Sequence, residues 1–143
     1  MRRVFAITTA VVLSACGDST APPPFPAVAG TYRMDITFSD FPPSIVNASG
    51  TITIVQPSRE APELTGSANI SVFSAGTTST ITRLTGASVT EAGAMRFQLP
   101  PPNPTSTWGF DGTITSGAAR INGTHILVGT TASFAGTWTA TRQ

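Results

Sequence analysis

One histidine, His125, and one cysteine, Cys16, are the most chemically versatile side chains in this 143-residue sequence. A lone imidazole and a lone thiol cannot close a zinc site, which takes three or four nitrogen, sulfur or carboxylate ligands. The carboxylates Asp35, Asp40, Glu60, Glu63, Glu91 and Asp111 are scattered along the chain, whereas calcium wants a cluster of oxygen ligands. Glu60 and Glu63 are close in sequence, but they lie in and just after the Pro-bounded turn from Pro57 to Pro62, where they read as solvated charges rather than an acid/base pair. There is no Gly-x-Ser-x-Gly elbow and no phosphate-binding glycine loop. The expectation is a non-catalytic protein with no metal and no cofactor. His125 shares its phase with Ile121, Gly123 and Leu127. It reads either as a ligand-contacting, pH-sensitive residue of an interior or as a hydrogen-bonded core histidine. Tyr32, Phe97, Trp108 and Trp138, with His125, form the candidate ligand-contacting set. The same residues, and Phe110 and Phe134 beside them, would equally serve as plain core.

Cys16 has a more specific context. Met1-Arg2-Arg3 is a positive n-region, Val4 to Ala15 is a short apolar run, and Leu13-Ser14-Ala15 leads into the cysteine. The run falls well short of the roughly 20 residues of a membrane-spanning helix. This arrangement resembles the bacterial lipoprotein signal, with Leu at −3, small residues at −2 and −1, and Cys at +1. The resemblance implies cleavage before Cys16, a diacylglyceryl group on its sulfur and an acylated amino group. Two or more chains fit the physics, since one acyl chain binds a bilayer only marginally. An ordinary secretory signal with an unrelated cysteine is the alternative. A single cysteine excludes an intrachain disulfide. Gly17, in place of the aspartate that retains such lipoproteins at the inner membrane, implies an outer-membrane address in the cell envelope; Asp18 one place later leaves retention open.

The elements that would carry these residues follow from composition and period. Residues 1–15 read as the signal peptide, 16–29 as the lipidated cysteine with a Pro-rich tether favouring extended polyproline II, and 30–143 as one domain. Beyond the signal, six arginines face seven carboxylates, and the chain has no lysine. That is no electrostatic footprint for nucleic acid. Charged residues are only 10% of the chain, yet Ile, Val, Phe and Trp alternate with Thr, Ser and Asn, as a sheet with one buried face requires.

Tyr32, Met34, Ile36 and Phe38 predict one inward face from Gly30 on. Residues 40–48, with Pro42-Pro43, are expected as loop. Further strands are expected at 49–56, 64–72, 95–99, 108–114, 119–128 and 132–142. The stretch 77–90 is β-rich, with a phase slip near Ile81–Leu84 that a bulge would reconcile. Asp111-Gly112 and Asn122-Gly123 are strong two-residue hairpin signals, but turns there would leave strands too short. Continuous strands, with turns at Ser116-Gly117-Ala118 and Gly129-Thr130-Thr131, are preferred.

The fold expected is all-β, an antiparallel up-and-down barrel of about eight strands closed by pairing of the first strand with the last; a β-sandwich is the alternative. Gly30-Thr31-Tyr32 is similar to the Gly-x-Trp opening of a lipocalin, and Trp108 to Trp138 resembles the late strands of avidin-like barrels. That likeness to the calycin-type barrels implies an up-and-down barrel and carries over no binding residue. Two functional expectations result. One is a lipid-anchored envelope scaffold presenting loops 40–48 and 100–106 to a protein partner. The other is a binder holding a small apolar ligand inside the barrel.

Overall fold

The computed structural model describes residues 24–39, 47–72, 83–100 and 105–143. The signal segment, Cys16, most of loop 40–48, residues 101–104 and the phase slip at Ile81-Thr82 lie outside them. Eight strands are formed: β1 Gly30–Phe38, β2 Asn47–Val55, β3 Thr65–Val72, β4 Thr85–Val89, β5 Ala94–Leu99, β6 Thr107–Thr115, β7 Arg120–Val128 and β8 Ser133–Arg142, with a 3₁₀ turn at Ser116–Ala118 between β6 and β7. They make one antiparallel sheet in the order β3-β2-β1-β8-β7-β6-β5-β4. β1 and β8 pair from Tyr32↔Arg142 to Phe38↔Gly136, so the first and last strands meet as the sequence predicts. The wall returns on itself where the segment before β3 meets β4: Leu64 N–H donates to the Ala87 carbonyl (2.9 Å), Val89 N–H to that of Pro62 (2.8 Å) and Leu84 N–H to that of Gly66 (3.1 Å). Glu63 and Ser88 form a β-bridge there. The result is a nearly closed barrel rather than a two-sheet sandwich.

Strict alternation makes these strands. β1 buries Tyr32, Met34, Ile36 and Phe38, and β5 buries Met95, Phe97 and Leu99. The outward positions are mostly Thr, Ser and Asn, which suit a pleated surface without exposing large apolar groups. Among the described residues two exposed ion pairs decorate the wall, Arg33–Asp35 (3.6 Å) and Arg96–Asp111 (2.6 Å), and pairs so exposed add little stability.

The hairpin-like dipeptides do lie inside strands. Gly112 faces Gly123 across the β6–β7 ladder, and Gly123 faces Trp138 across β7–β8. A Cβ at Gly112 would stand 2.6 Å from Trp138 Cζ2, and one at Gly123 would stand 1.9 Å from the Asp111 carbonyl oxygen. Close packing, against the Trp138 indole at Gly112 and against the facing backbone at Gly123, and not turn geometry, selects glycine at both places.

Three details depart from the sequence reading. β2 begins at Asn47, inside the segment expected as loop, because Ala48 pairs with Ile36 and is buried. The register irregularity of β4 falls between Thr85 and Ser88, at Gly86 with φ +56°, just after the segment where the slip was expected. Packed structure also begins before Gly30. Phe25 packs against the core and Val28 is fully buried within it.

Gly123→Ala is expected to destabilise the barrel by upward of about 3 kcal/mol, at or beyond the usual overpacking range, because two backbones must separate. Gly86→Ala meets nothing within 4 Å and should cost only about 1–2 kcal/mol, for left-handed backbone. Urea denaturation of the two variants checks the order.

Candidate functional site

The inward residues of β5 to β8 and the end of β1 bring aromatic rings together at one level of the barrel. Cross-strand pairing puts Phe97 beside Phe110, Phe110 beside His125, His125 beside Gly136, and Gly136 beside Phe38. Phe97 and Phe110 stack at 4.8 Å with nearly parallel planes. Trp138 stands edge-on to both, at 5.4 and 5.8 Å. Trp108 lies 5.1 Å from Phe110, and Phe38 meets His125 edge-to-face at 4.7 Å. All six residues are buried.

The polar atoms of this cluster are spent on the protein itself. Trp108 Nε1–H donates to His125 Nδ1 (3.1 Å), and His125 Nε2 lies 3.1 Å from the Thr37 carbonyl oxygen. An indole N–H only donates and a carbonyl only accepts. Nδ1 is therefore the bare acceptor, Nε2 carries the proton, and His125 is neutral. Burial holds its pKa below the ordinary imidazole value, opposed by the hydrogen bond to Thr37. Trp138 Nε1–H is shared between the carbonyls of Asp111 (3.0 Å) and Thr124 (3.1 Å). Among the described residues no buried side-chain nitrogen or oxygen lacks a partner.

Of the five candidate contact residues, Phe97, Trp108, His125 and Trp138 thus form one cluster. Tyr32 does not join its ring contacts. It lies six residues from Phe38 along β1, about 20 Å at strand rise, and its surroundings differ. Its hydroxyl donates to the Val28 carbonyl (2.8 Å), and the Arg142 guanidinium carbon sits 5.5 Å from its ring centroid. Burial raises the phenol pKa, and the Arg142 charge and hydrogen bond pull against it.

Around Tyr32 the chain before β1 is strapped across one barrel mouth. Val28 N–H donates to Gln56 Oε1 and Gln56 Nε2 donates to the Pro26 carbonyl, both at 3.0 Å. Arg59 Nε donates to the Phe25 carbonyl (3.0 Å), Phe25 N–H to that of Arg59 (3.2 Å), and Arg142 Nη2 to that of Ala29. Sequence reasoning missed Gln56, Arg59 and Arg142, since nothing local marks a side chain that binds a backbone 28 or more residues away. Phe38 was legible as an inward residue, but its contact with His125 depends on the bare Gly136 between them.

Depressions lie on the outer wall and at the strapped mouth, the latter of about 400 Å³ beside Pro26, Ala27 and Arg59. On the wall, one of about 580 Å³ runs over Ser88, Arg96, Asp111, Asn122 and Thr124, side chains that are hydroxylic, amide or ion-paired. Among the described residues no group of three or more His, Cys, Asp or Glu could hold a metal.

No family model matches this chain, and no curated protein matches it. Among solved structures it is similar to that of EF1p2_mFAP2b bound to DFHBI, with a TM-score of 0.55 and 14% identity over 81% of this chain and 94% of that one. The likeness is one of fold, the β-barrel.

Trp108→Phe would leave His125 Nδ1 buried without its donor and should cost about 1–3 kcal/mol. The unfolded state, with the higher histidine pKa, takes up the proton first on acidification. Unfolding free energy should therefore be flat above the ordinary imidazole pKa of about 6.5 and fall as pH drops below it. His125→Phe should remove that part of the slope, as followed by denaturation at several pH values.

Proposed function

We propose that this chain is a lipid-anchored cell-envelope lipoprotein whose barrel is a non-catalytic scaffold or interaction module. The anchor rests on Leu13-Ser14-Ala15-Cys16 with its positive and apolar lead-in; Gly17 supports an outer-membrane address, at either face. In this reading two or more acyl chains on Cys16 hold the protein at the bilayer. From Cys16 the chain reaches the first strapped residue, Phe25, in nine steps, about 28 Å if extended as polyproline II. The barrel then stands close to the membrane, with the strapped mouth toward it. The envelope partner would be a protein, met by loops such as 40–46 and 100–106.

The observation that carries the non-catalytic reading is the interior. Both nitrogens of His125 are engaged by Trp108 and Thr37, and the indole of Trp138 is committed to two carbonyls. For His125 to act as a general acid or base, a ring nitrogen must reach a substrate proton, and here each is occupied by the fold.

A second reading is a binder of a small apolar ligand within the barrel, contacted by Tyr32, Phe97, Trp108, His125 and Trp138. What favours it is the similar barrel of EF1p2_mFAP2b, bound to DFHBI.

Intact-mass analysis of membrane-extracted protein tests the anchor. The wild type should carry acyl mass on the chain cut before Cys16, and Cys16→Ser should carry none. An uncut wild-type chain with a free thiol would overturn the lipoprotein reading. Native mass spectrometry and thermal shift against a panel of lipids and metabolites separate the two roles for the barrel. The scaffold predicts a clean apo mass and an unmoved melting temperature, whereas saturable stabilisation decides for the binder.

A further inference from the structure

The segment Phe25–Ala29 is neither a strand nor a free spacer. It contributes Val28, wholly buried, and Phe25, partly buried, to the core. It is held by side chains from three places in the fold: Gln56 just after β2, Arg59 in the following turn, and Tyr32 and Arg142 at the ends of β1 and β8. Val28 itself is read like a ligand. Its N–H meets the Gln56 amide oxygen, its carbonyl meets the Tyr32 hydroxyl, and its side chain is fully buried in the core. Apart from the Phe25–Arg59 backbone contact, these polar contacts are made by side chains rather than by a strand ladder. The segment can therefore leave without unzipping the sheet.

We propose that Phe25–Ala29 is a latch that closes a small-molecule site at this mouth of the barrel. When it lifts, the space of the Val28 and Phe25 side chains opens beside Tyr32. A lined apolar space of that kind takes small hydrophobic molecules, as emptied cavities in other proteins do. The ligand class is a compact aromatic or branched aliphatic molecule, recognised by the shape of the vacated apolar space, and fluorobenzene is a minimal stand-in. The proposal rests on the second reading above and adds its regulation: the closed state is the packed barrel, and ligand competes with the chain's own Val28. Because the latch continues directly into the N-terminal chain, whatever holds that chain also biases the latch.

The apparent affinity of a closed site is its intrinsic affinity reduced by the fraction open, so loosening the latch should tighten binding. Fluorobenzene, followed by ligand-observed fluorine NMR, is the probe, on the full chain carrying Cys16→Ser. Two variants loosen the latch from different sides. Gln56→Ala with Arg59→Ala removes three of its hydrogen bonds, and Tyr32→Phe removes one. The double variant should bind fluorobenzene at least tenfold more tightly than the parent, and Tyr32→Phe several-fold more tightly. Both should keep a cooperative melt and show faster hydrogen exchange at the Val28 amide.

Equal affinity in the parent and in both folded variants would mean that ligand enters elsewhere; the latch would fall while the binder reading survived. Accelerated exchange at Val28 with no binding in any form would sink the proposal and the small-ligand reading of this mouth together. If the double variant fails to melt cooperatively, Tyr32→Phe decides alone.

Discussion

The interior of an eight-stranded barrel is only about wide enough for its own side chains, and this shortage of space governs the rest of the structure. Around any one level, neighbouring inward residues cannot all be large. The rows obey that rule. Trp138 is followed by Gly123 and then Gly112 on the next two strands. Phe38 and His125 flank Gly136, and Met34 lies between Gly50 and Ala140. A Cβ at Gly136 would stand 2.6 Å from His125 Nε2 and 1.9 Å from the Thr37 carbonyl oxygen. The same bare backbone that makes room for the rings also brings their polar atoms to carbonyls. The indole nitrogen of Trp138 reaches Asp111 and Thr124, each next to one of the paired glycines. Without such reach, each buried N–H would cost on the order of 1–3 kcal/mol. Steric fit and polar satisfaction are one solution here, not two.

This explains which features could be read from the sequence. Alternation alone fixes the inward phase of Tyr32, Phe97, Trp108, His125 and Trp138, because a strand has a period of two whatever it pairs with. The continuity of β6 and β7 through Asp111-Gly112 and Asn122-Gly123 was legible because turns there would leave strands too short. The pairing of β1 with β8 followed from closure. What stayed hidden depends on partners rather than period. Tyr32 and the rings of the other four share a face pattern but not a neighbourhood, since phase says nothing of height along the barrel. Phe25–Ala29 read as spacer because proline-rich chain favours extended polyproline II, which makes no internal hydrogen bonds. Its carbonyls remain acceptors, however, and Gln56, Arg59 and Arg142 use those of Pro26, Phe25 and Ala29. Contacts spanning 30 to 113 residues leave no local signature.

The outer wall follows a second economy. With 10% charged residues and no lysine, the strands cover their outside with Thr, Ser and Asn, which hydrate well and keep β propensity. Little of the stability then comes from surface ion pairs, and more falls to the core and the ladders. Among the described residues the ladders are uneven: β6 and β7 pair over nine positions, whereas the junction between β4 and the start of β3 is joined through Leu64, Gly66, Val89 and the Glu63–Ser88 bridge. Local opening follows the sparsest hydrogen bonding and packing, so the barrel should yield at this junction before it yields at β6–β8.

Those two economies, a filled interior and a uniform wall, move chemical variety to the ends of the strands. The large apolar side chains most exposed among the described residues are Val55, Ile126 and Val128. Val55 is the last residue of β2 and Val128 the last of β7, at opposite mouths of an antiparallel barrel. At the mouth near Val55, the strap places Gln56, Arg59, Tyr32 and Arg142 around a short run of chain. At the other, Gly129 closes a turn onto Ala132 above Phe134, Leu127 and the Trp108–His125 pair. A threonine-rich wall can discriminate little, since each stretch of it resembles the next. The mouths differ from the wall and from each other, and on the proposed readings differential affinity, which is what specificity consists of, would arise there.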